Sequence, residues 1–305
     1  MDNGNTNYKI VIPSNASNYE SLAASELQLF IKKATNCELP IITDEALTNC
    51  EYYISIGNTA LLSNESSIII DSKKLKDAGL LIKTLDKAVY LVGATGIGTV
   101  NAVYAFLEYH IGFKAYAQDC VVYKNCVSLK LLDIDYEYTP GVQFLVSNEQ
   151  ENNFSEEKIV GNMRMHITTN IKGSGGYNLD GKLYTLFVHT NDYVISYTDE
   201  NARWFNKEKN QLCYSNDEMI DEFSKRFYNN FVMGRSEPFI MLGVNDFPSS
   251  CNCESCKEAM TKYGGQGGIY VRFMNKVADY VEKEFEKSGI NRKLTLIGLM
   301  YYATR

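Results

Sequence analysis

From Tyr8 to about Tyr138, short apolar runs alternate with segments of helical period. Tyr8–Pro13 reads as a strand, and the residues after it place Ala23, Leu27, Phe30, Ile31 and Ala34 on one face of a helix. Tyr52–Ile56, Leu80–Thr84 and Ala88–Val92 predict further short strands, with Lys87 at the turn between the last two. A second helix carries Val100, Val103, Leu107 and Ile111 on one stripe, and Gly112 is placed to end it. Val127–Ile134 predicts a last strand, and Thr139-Pro140-Gly141 marks a boundary.

Beyond Pro140 strand and helix patterns keep alternating. Val142–Val146, Met165–Thr169, Tyr184–His189, Phe239–Val244 and Leu294–Met300 predict five strands. Between them lie helical patterns at Ser155–Met163, at Asp217–Val232 with Ile220, Phe223, Phe227 and Phe231 inward, and at Tyr270–Glu286 with Phe273, Val277, Tyr280 and Val281 inward. Apolar strands separated by helices imply an α/β fold with a parallel sheet covered by helices. In such folds chemistry gathers at the carboxyl ends of the strands. Those ends read Ser147-Asn148-Glu149, Asn170, His189-Thr190-Asn191-Asp192, Asn245-Asp246 and Tyr301-Tyr302. Carboxylates and amides suit sugar hydroxyls, and aromatic rings suit the apolar faces of pyranoses.

Composition narrows the classes. With 45% apolar and 22% charged residues in 305, the chain is globular and long enough for two domains. Its net charge of −7 has no basic run, which disfavours nucleic acid or an anionic membrane as partner. No apolar stretch is long enough to span a bilayer. The polar start Met1-Asp2-Asn3-Gly4-Asn5-Thr6 lacks the apolar core of a secretory leader, so the compartment is cytoplasmic, or extracellular if a leader is missing.

Cysteine spacing is the sharpest signal. Cys37, Cys50, Cys120 and Cys126 are scattered and fit either buried thiols or disulfides, but Cys251-x-Cys253-x-x-Cys256 is tight. Three thiols within six residues cannot all pair with one another. With Cys213 as a fourth ligand they match a structural zinc site, the alternative being two disulfides. Zinc is favoured because a Cys-x-Cys bridge is strained. Gly93-Ala94-Thr95-Gly96-Ile97-Gly98 departs from a dinucleotide-binding fingerprint and reads as a tight turn that lets a helix pack closely on the sheet. No organic cofactor is expected.

Two sets of motifs carry a family resemblance. The first is Ala24-Ser25-Glu26-Leu27 through Ala34-Thr35, then Ile54-Ser55-Ile56-Gly57, and Val92-Gly93-Ala94-Thr95-Gly96 leading to Ala105-Phe106-Leu107-Glu108. The second is His189-Thr190, Gln211-Leu212-Cys213-Tyr214-Ser215-Asn216, and Asn245-Asp246 followed by the cysteines. Together they resemble the domain-of-unknown-function family DUF4838, with the N-terminal accessory domain shared by alpha-glucuronidases and beta-hexosaminidases. The resemblance implies an accessory α/β domain over residues 1–139 and, over 140–305, the first five strands of a glycoside hydrolase-like (β/α) barrel of the TIM type. A closed barrel needs eight strands, so the chain alone is expected to be a fragment that lacks the partner carboxylate on a later strand. The cysteine group also resembles one that follows the Asn-Glu pair of family 42 beta-galactosidases.

The resemblance places Asp246 as general acid acting on an oligosaccharide or polysaccharide, with Asn245 and His189 orienting the substrate. Protonating a sugar leaving group needs a carboxyl whose pKa is raised by its surroundings. Tyr302, at the end of the fifth strand, faces the same side. Arg164 can meet a sugar carboxylate, or pair with a helix carboxylate instead. Trp204, Tyr193 and Tyr197 form either a stacking platform or core. Against these stand the plain readings of Asp246 as a loop cap and His189 as a structural residue, and a non-catalytic carbohydrate-binding or cell-surface protein as the rival function.

Overall fold

The computed structural model describes residues 1–46, 51–142, 146–148, 156–167, 169–171, 176–177, 183–184, 189–234 and 239–300. It divides into two compact units, Met1–Asn170 with Tyr177–Gly181, and Ile171–Gly176 with Lys182–Arg305. The predicted strands Val142–Val146 and Tyr184–His189 fall partly outside the described residues, as do Cys50, Glu149, Tyr301 and Tyr302. Among the described residues no helix is long and apolar enough to cross a membrane.

The first unit runs β1 (Lys9–Ile12), α1 (Asn18–Thr35), β2 (Ile41–Thr43), β3 (Tyr53–Ile56), α2 (Ala60–Ser63), α3 (Ser72–Leu75), β4 (Leu80–Leu85), β5 (Ala88–Gly93), α4 (Gly96–Ile111), β6 (Lys114–Ala117), β7 (Cys120–Val122), β8 (Asp135–Tyr138), β9 (Val146–Asn148), α5 (Glu156–Arg164) and β10 (Thr169–Ile171). Its six-stranded sheet has the order β2-β1-β3-β5-β4-β8. The sheet is mixed: β2, β1, β3 and β5 are parallel, and β4 runs against both β5 and β8. The β4–β5 reversal is a hairpin closing at Leu85 and Ala88, which puts Asp86 and Lys87 in the turn.

Both predicted helix faces are buried. Ala23, Leu27, Phe30, Ile31 and Ala34 of α1 and Val100, Val103, Leu107 and Ile111 of α4 share one core with Ile10, Ile54 and Leu91 of the sheet. Gly112 ends α4 in the left-handed conformation (φ 63°). Gly93 and Gly98 confirm the close approach of α4, since a Cβ on Gly93 would lie 2.4 Å from the Gly98 backbone.

A capping box starts α1. Ser17 Oγ accepts from Glu20 N, and Glu20 Oε2 accepts from Ser17 N at 2.9 Å. Glu20 Oε1 also accepts from Asn58 N at 3.1 Å, which ties the helix start to the loop after β3. Ser17→Ala should therefore destabilise the chain by about 1 kcal/mol. A lower denaturant midpoint at constant slope would show it, and an unmoved midpoint would mean that the cap contributes nothing.

Two strand expectations need correction. Val127–Ile134 is not a strand. Its backbone groups are engaged irregularly, with Asn3 N donating to Val127 O, Leu129 N to Met1 O and Leu132 N to His110 Nε2, so the strand begins only at Asp135. Met165–Ile167 is a turn, because the amides of Met165 and Ile167 both donate to Asn162 O and His166 takes φ 58°, and extended backbone starts at Thr169.

After β11 (Gly176–Tyr177), whose two residues are divided between the units, the second unit contains β12 (Leu183–Tyr184), α6 (Thr190–Val194), α7 (Asp217–Phe227), β13 (Phe239–Gly243), α8 (Glu254–Tyr263), α9 (Gln266–Lys287) and β14 (Thr295–Leu299). Strands β13 and β14 pair in parallel from Phe239↔Thr295 to Gly243↔Leu299, joined by the two helices α8 and α9 as a parallel pair requires. Ile220, Phe223 and Phe227 of α7 and Phe273, Val277 and Val281 of α9 bury Ile240 and Leu242 of β13 in a common core. Both strands thus end on the same side.

Candidate functional site

Strand β13 delivers Val244, Asn245 and Asp246 at its carboxyl end. Val244 N donates to Leu299 O at 3.2 Å, so the chain leaves the sheet only at Asn245. Asn245 is buried, and its amide nitrogen donates to Asp192 Oδ1 and to Asn210 O, both at 2.8 Å. Gln211 Nε2 donates to Asn245 O at 2.6 Å and to Phe247 O at 3.0 Å, bracketing Asp246 from both sides. Asp246 itself is exposed, with 58% of its side chain accessible.

His189 stands beside it. The residue caps the start of α6 in the left-handed conformation (φ 64°), and its Nδ1 lies 2.9 Å from Val244 O. A carbonyl only accepts, so Nδ1 carries a hydrogen and Nε2 is the variable position. Nε2 lies 3.9 Å from Asp246 Oδ2. Thr190 fixes the turn below, its hydroxyl donating to Met241 O at 2.8 Å.

The structure thus brings Asp246, Asn245 and His189 together, and adds Asp192. Burial around the Asp192 carboxyl pushes its pKa above the ordinary carboxylate range, against the Asn245 amide and the His189 ring, which lower it. Sequence reasoning named Asp192 only as part of a strand end. Its position three residues after His189, on the first turn of a helix, was the available signal.

Arg164 belongs to a different place. In the first unit its Nε and Nη2 each donate to Glu26 of α1 at 2.7 Å, and Phe30 lies against the guanidinium. This is the pairing with a helix carboxylate. Trp204 is buried in the second unit's core, whereas Tyr193 is exposed and Tyr197 packs edge-on against Phe205 at 5.3 Å. Tyr302 lies outside the described residues.

The four predicted cysteines converge. The sulfur atoms of Cys213, Cys251, Cys253 and Cys256 all lie within 4.8 Å of one another, and they can hold a metal ion. Cys213 Sγ is 3.7 Å from Cys253 Sγ and 3.6 Å from Cys256 Sγ. Four sulfurs held at about 2.3 Å around one tetrahedral ion lie about 3.8 Å apart, whereas a disulfide needs about 2.05 Å. The geometry therefore fits the metal set. Ser215 Oγ, 3.0 Å from Cys256 Sγ and 3.4 Å from Cys213 Sγ, adds a hydroxyl to the cluster. Hydrogen bonds from Cys251 and Cys256 hold the Cys213 thiol well below its ordinary pKa, and those with Cys213 and Cys256 push Cys251 up. Cys213 is two residues from Gln211, and Cys251 is five residues beyond Asp246, so the sulfurs join the loop that clamps Asp246 to the loop that carries it.

Comparison with solved structures places the fold. A family GH115 4-O-methyl-alpha-glucuronidase, described as having specificity for decorated arabinogalactans, matches 95% of this chain and 41% of its own at 11% identity, with a TM-score of 0.50. A GH20 beta-N-acetylhexosaminidase from Streptomyces coelicolor A3(2) matches 98% of this chain and 65% of its own at 13% identity and a TM-score of 0.44. The chain thus spans well under half the length of the glucuronidase. No curated protein matches it in sequence. Residues 133–294 match DUF4838, described as a domain of unknown function, and the chain belongs to that family.

Proposed function

We propose that this protein is a carbohydrate-active, glycoside hydrolase-like protein, with residues 1–139 as an accessory α/β domain and 140–305 contributing the first part of a (β/α) barrel. The observation that carries the reading is the gathering of Asp246, His189, Asn245 and Asp192 at the carboxyl end of β13, where parallel α/β folds hold their chemistry. Asp246 is the general acid that protonates the glycosidic oxygen. His189 Nε2, 3.9 Å from Asp246 Oδ2, orients the substrate beside it, while Val244 O fixes the ring's other nitrogen. Asn245 aligns Asp192 as a second carboxyl. It can accept a substrate hydroxyl or receive the proton that a water loses on attack.

The four cysteines hold a structural zinc. Four thiolates leave no open coordination position, so the metal's part is to fix loops rather than to bind substrate. Arg164 and Tyr302 remain proposals as substrate contacts, with Arg164 reaching a sugar carboxylate only by releasing Glu26.

One observation favours the rival reading of a non-catalytic sugar-binding protein: Asp246 is exposed, and the carboxyl with a raised pKa is Asp192. Hydrolysis separates the two. Release of reducing ends from a panel of oligosaccharides by the protein in its full-length form, alongside binding measured on the same panel, is the test. Hydrolysis supports the enzyme, and binding without hydrolysis establishes the rival.

A further inference from the structure

The first unit contains a cleft that the proposed site does not use. It has a volume of about 420 Å³, within the range of small-molecule sites, and all its lining residues belong to that unit. One wall is aromatic. Tyr136 and Tyr138 are alternate residues of β8, so their rings stand on one face of the strand, nearly parallel at 6° with centroids 6.2 Å apart. Helix α4 adds Asn101, Ala105 and Glu108 to the lining, three residues that follow one another at helical spacing.

The polar end of the cleft is built in a definite sense. Asn101 Nδ2 donates to Ala78 O at 3.0 Å, which turns its Oδ1 toward His166 Nδ1 at 3.0 Å. That oxygen only accepts, so His166 Nδ1 carries the hydrogen and Nε2 of the neutral ring is an acceptor. Burial lowers the pKa of His166, which favours the neutral ring. His166 is held at φ 58°, a conformation costly for a residue with a Cβ and one that tends to mark ligand contacts. The Glu108 carboxylate, 3.5 Å from Lys114 Nζ through Oε1, also lines the cleft, and it too accepts only.

We propose that this cleft is a binding site for a neutral pyranose ring. Aromatic plates match the C–H face of such a ring, and two acceptors match its hydroxyl donors. An anionic sugar would meet the Glu108 carboxylate, whose charge the exposed pair with Lys114 offsets only in part. The inference rests on the first unit alone and stands or falls independently of the function proposed for Asp246.

Saturation-transfer NMR on the purified chain with the methyl β-glycosides of glucose, galactose and xylose, each at about 10 mM, tests it, because single-ring ligands bind at about millimolar strength. Transfer to the ring protons of at least one glycoside is expected. Ala105→Leu fills the cleft from a half-exposed helix position, and Tyr138→Ala removes one plate at the surface. Each should weaken binding at least about tenfold, while Ser17→Ala, which touches only the cap of α1, leaves it unchanged. Absence of transfer from all three glycosides would overturn the proposal. So would binding that survives both cleft variants, or a preference for choline, which would mark a cation site instead.

Discussion

If Asp246 is the proton donor of a complete enzyme, Asp246→Asn is expected to lower turnover on unactivated glycosides by at least about 10²-fold, the usual contribution of a positioned general acid. The variant keeps the side chain's size and loses its proton-donating ability. The neighbours that hold the loop, Gln211 on the Asn245 and Phe247 carbonyls, do not involve the Asp246 side chain, so folding should be unaffected. Glycosides with very good leaving groups should lose much less, because they need no proton on departure. Steady-state rates for both substrate types, with matched unfolding curves, give the answer. Equal turnover in wild type and variant would reduce Asp246 to a loop cap.

Removal of the metal should have the largest effect on stability. Purified protein is expected to contain about one zinc per chain, and Cys253→Ser, at the exposed corner of the cluster, should release it. A metal present at about a thousand times its dissociation constant stabilises the folded state by about 4 kcal/mol, so chelation should lower the melting temperature by on the order of 10 °C. Metal analysis and thermal melts with and without chelator measure both. Metal-free protein whose four sulfurs resist thiol reagents until reduced would replace zinc with disulfides.

Much of this was legible in the chain. The α1 and α4 faces and the inward rows of α7 and α9 could be read because helical periodicity survives wherever one side of a helix is buried. The cysteine group could be read because ligand spacing is a local property. The failures have two physical origins: a local turn at Met165–Ile167, where the amides close on Asn162 O, and long-range partners that a sequence pattern does not show. Val127–Ile134 has an apolar strand pattern, but its amides and carbonyls find the N-terminus and His110, partners that lie far away in sequence. The role of Glu26 as partner of Arg164 was likewise out of reach, with 138 residues between them. Asp192 was in view but carried no mark until Asn245 bonded to it.

The segment from Val244 to Cys251 is held at its first residue by β14, in its middle by Gln211 and at its end by the sulfur cluster. Its conformational entropy has been surrendered on folding, so a ligand arriving at Asp246 does not have to order it. Binding there should carry a small entropic penalty in calorimetry. With the cluster dismantled, the same ordering would fall to the binding step, and affinity would drop through the entropy while the contact enthalpy stayed nearly the same.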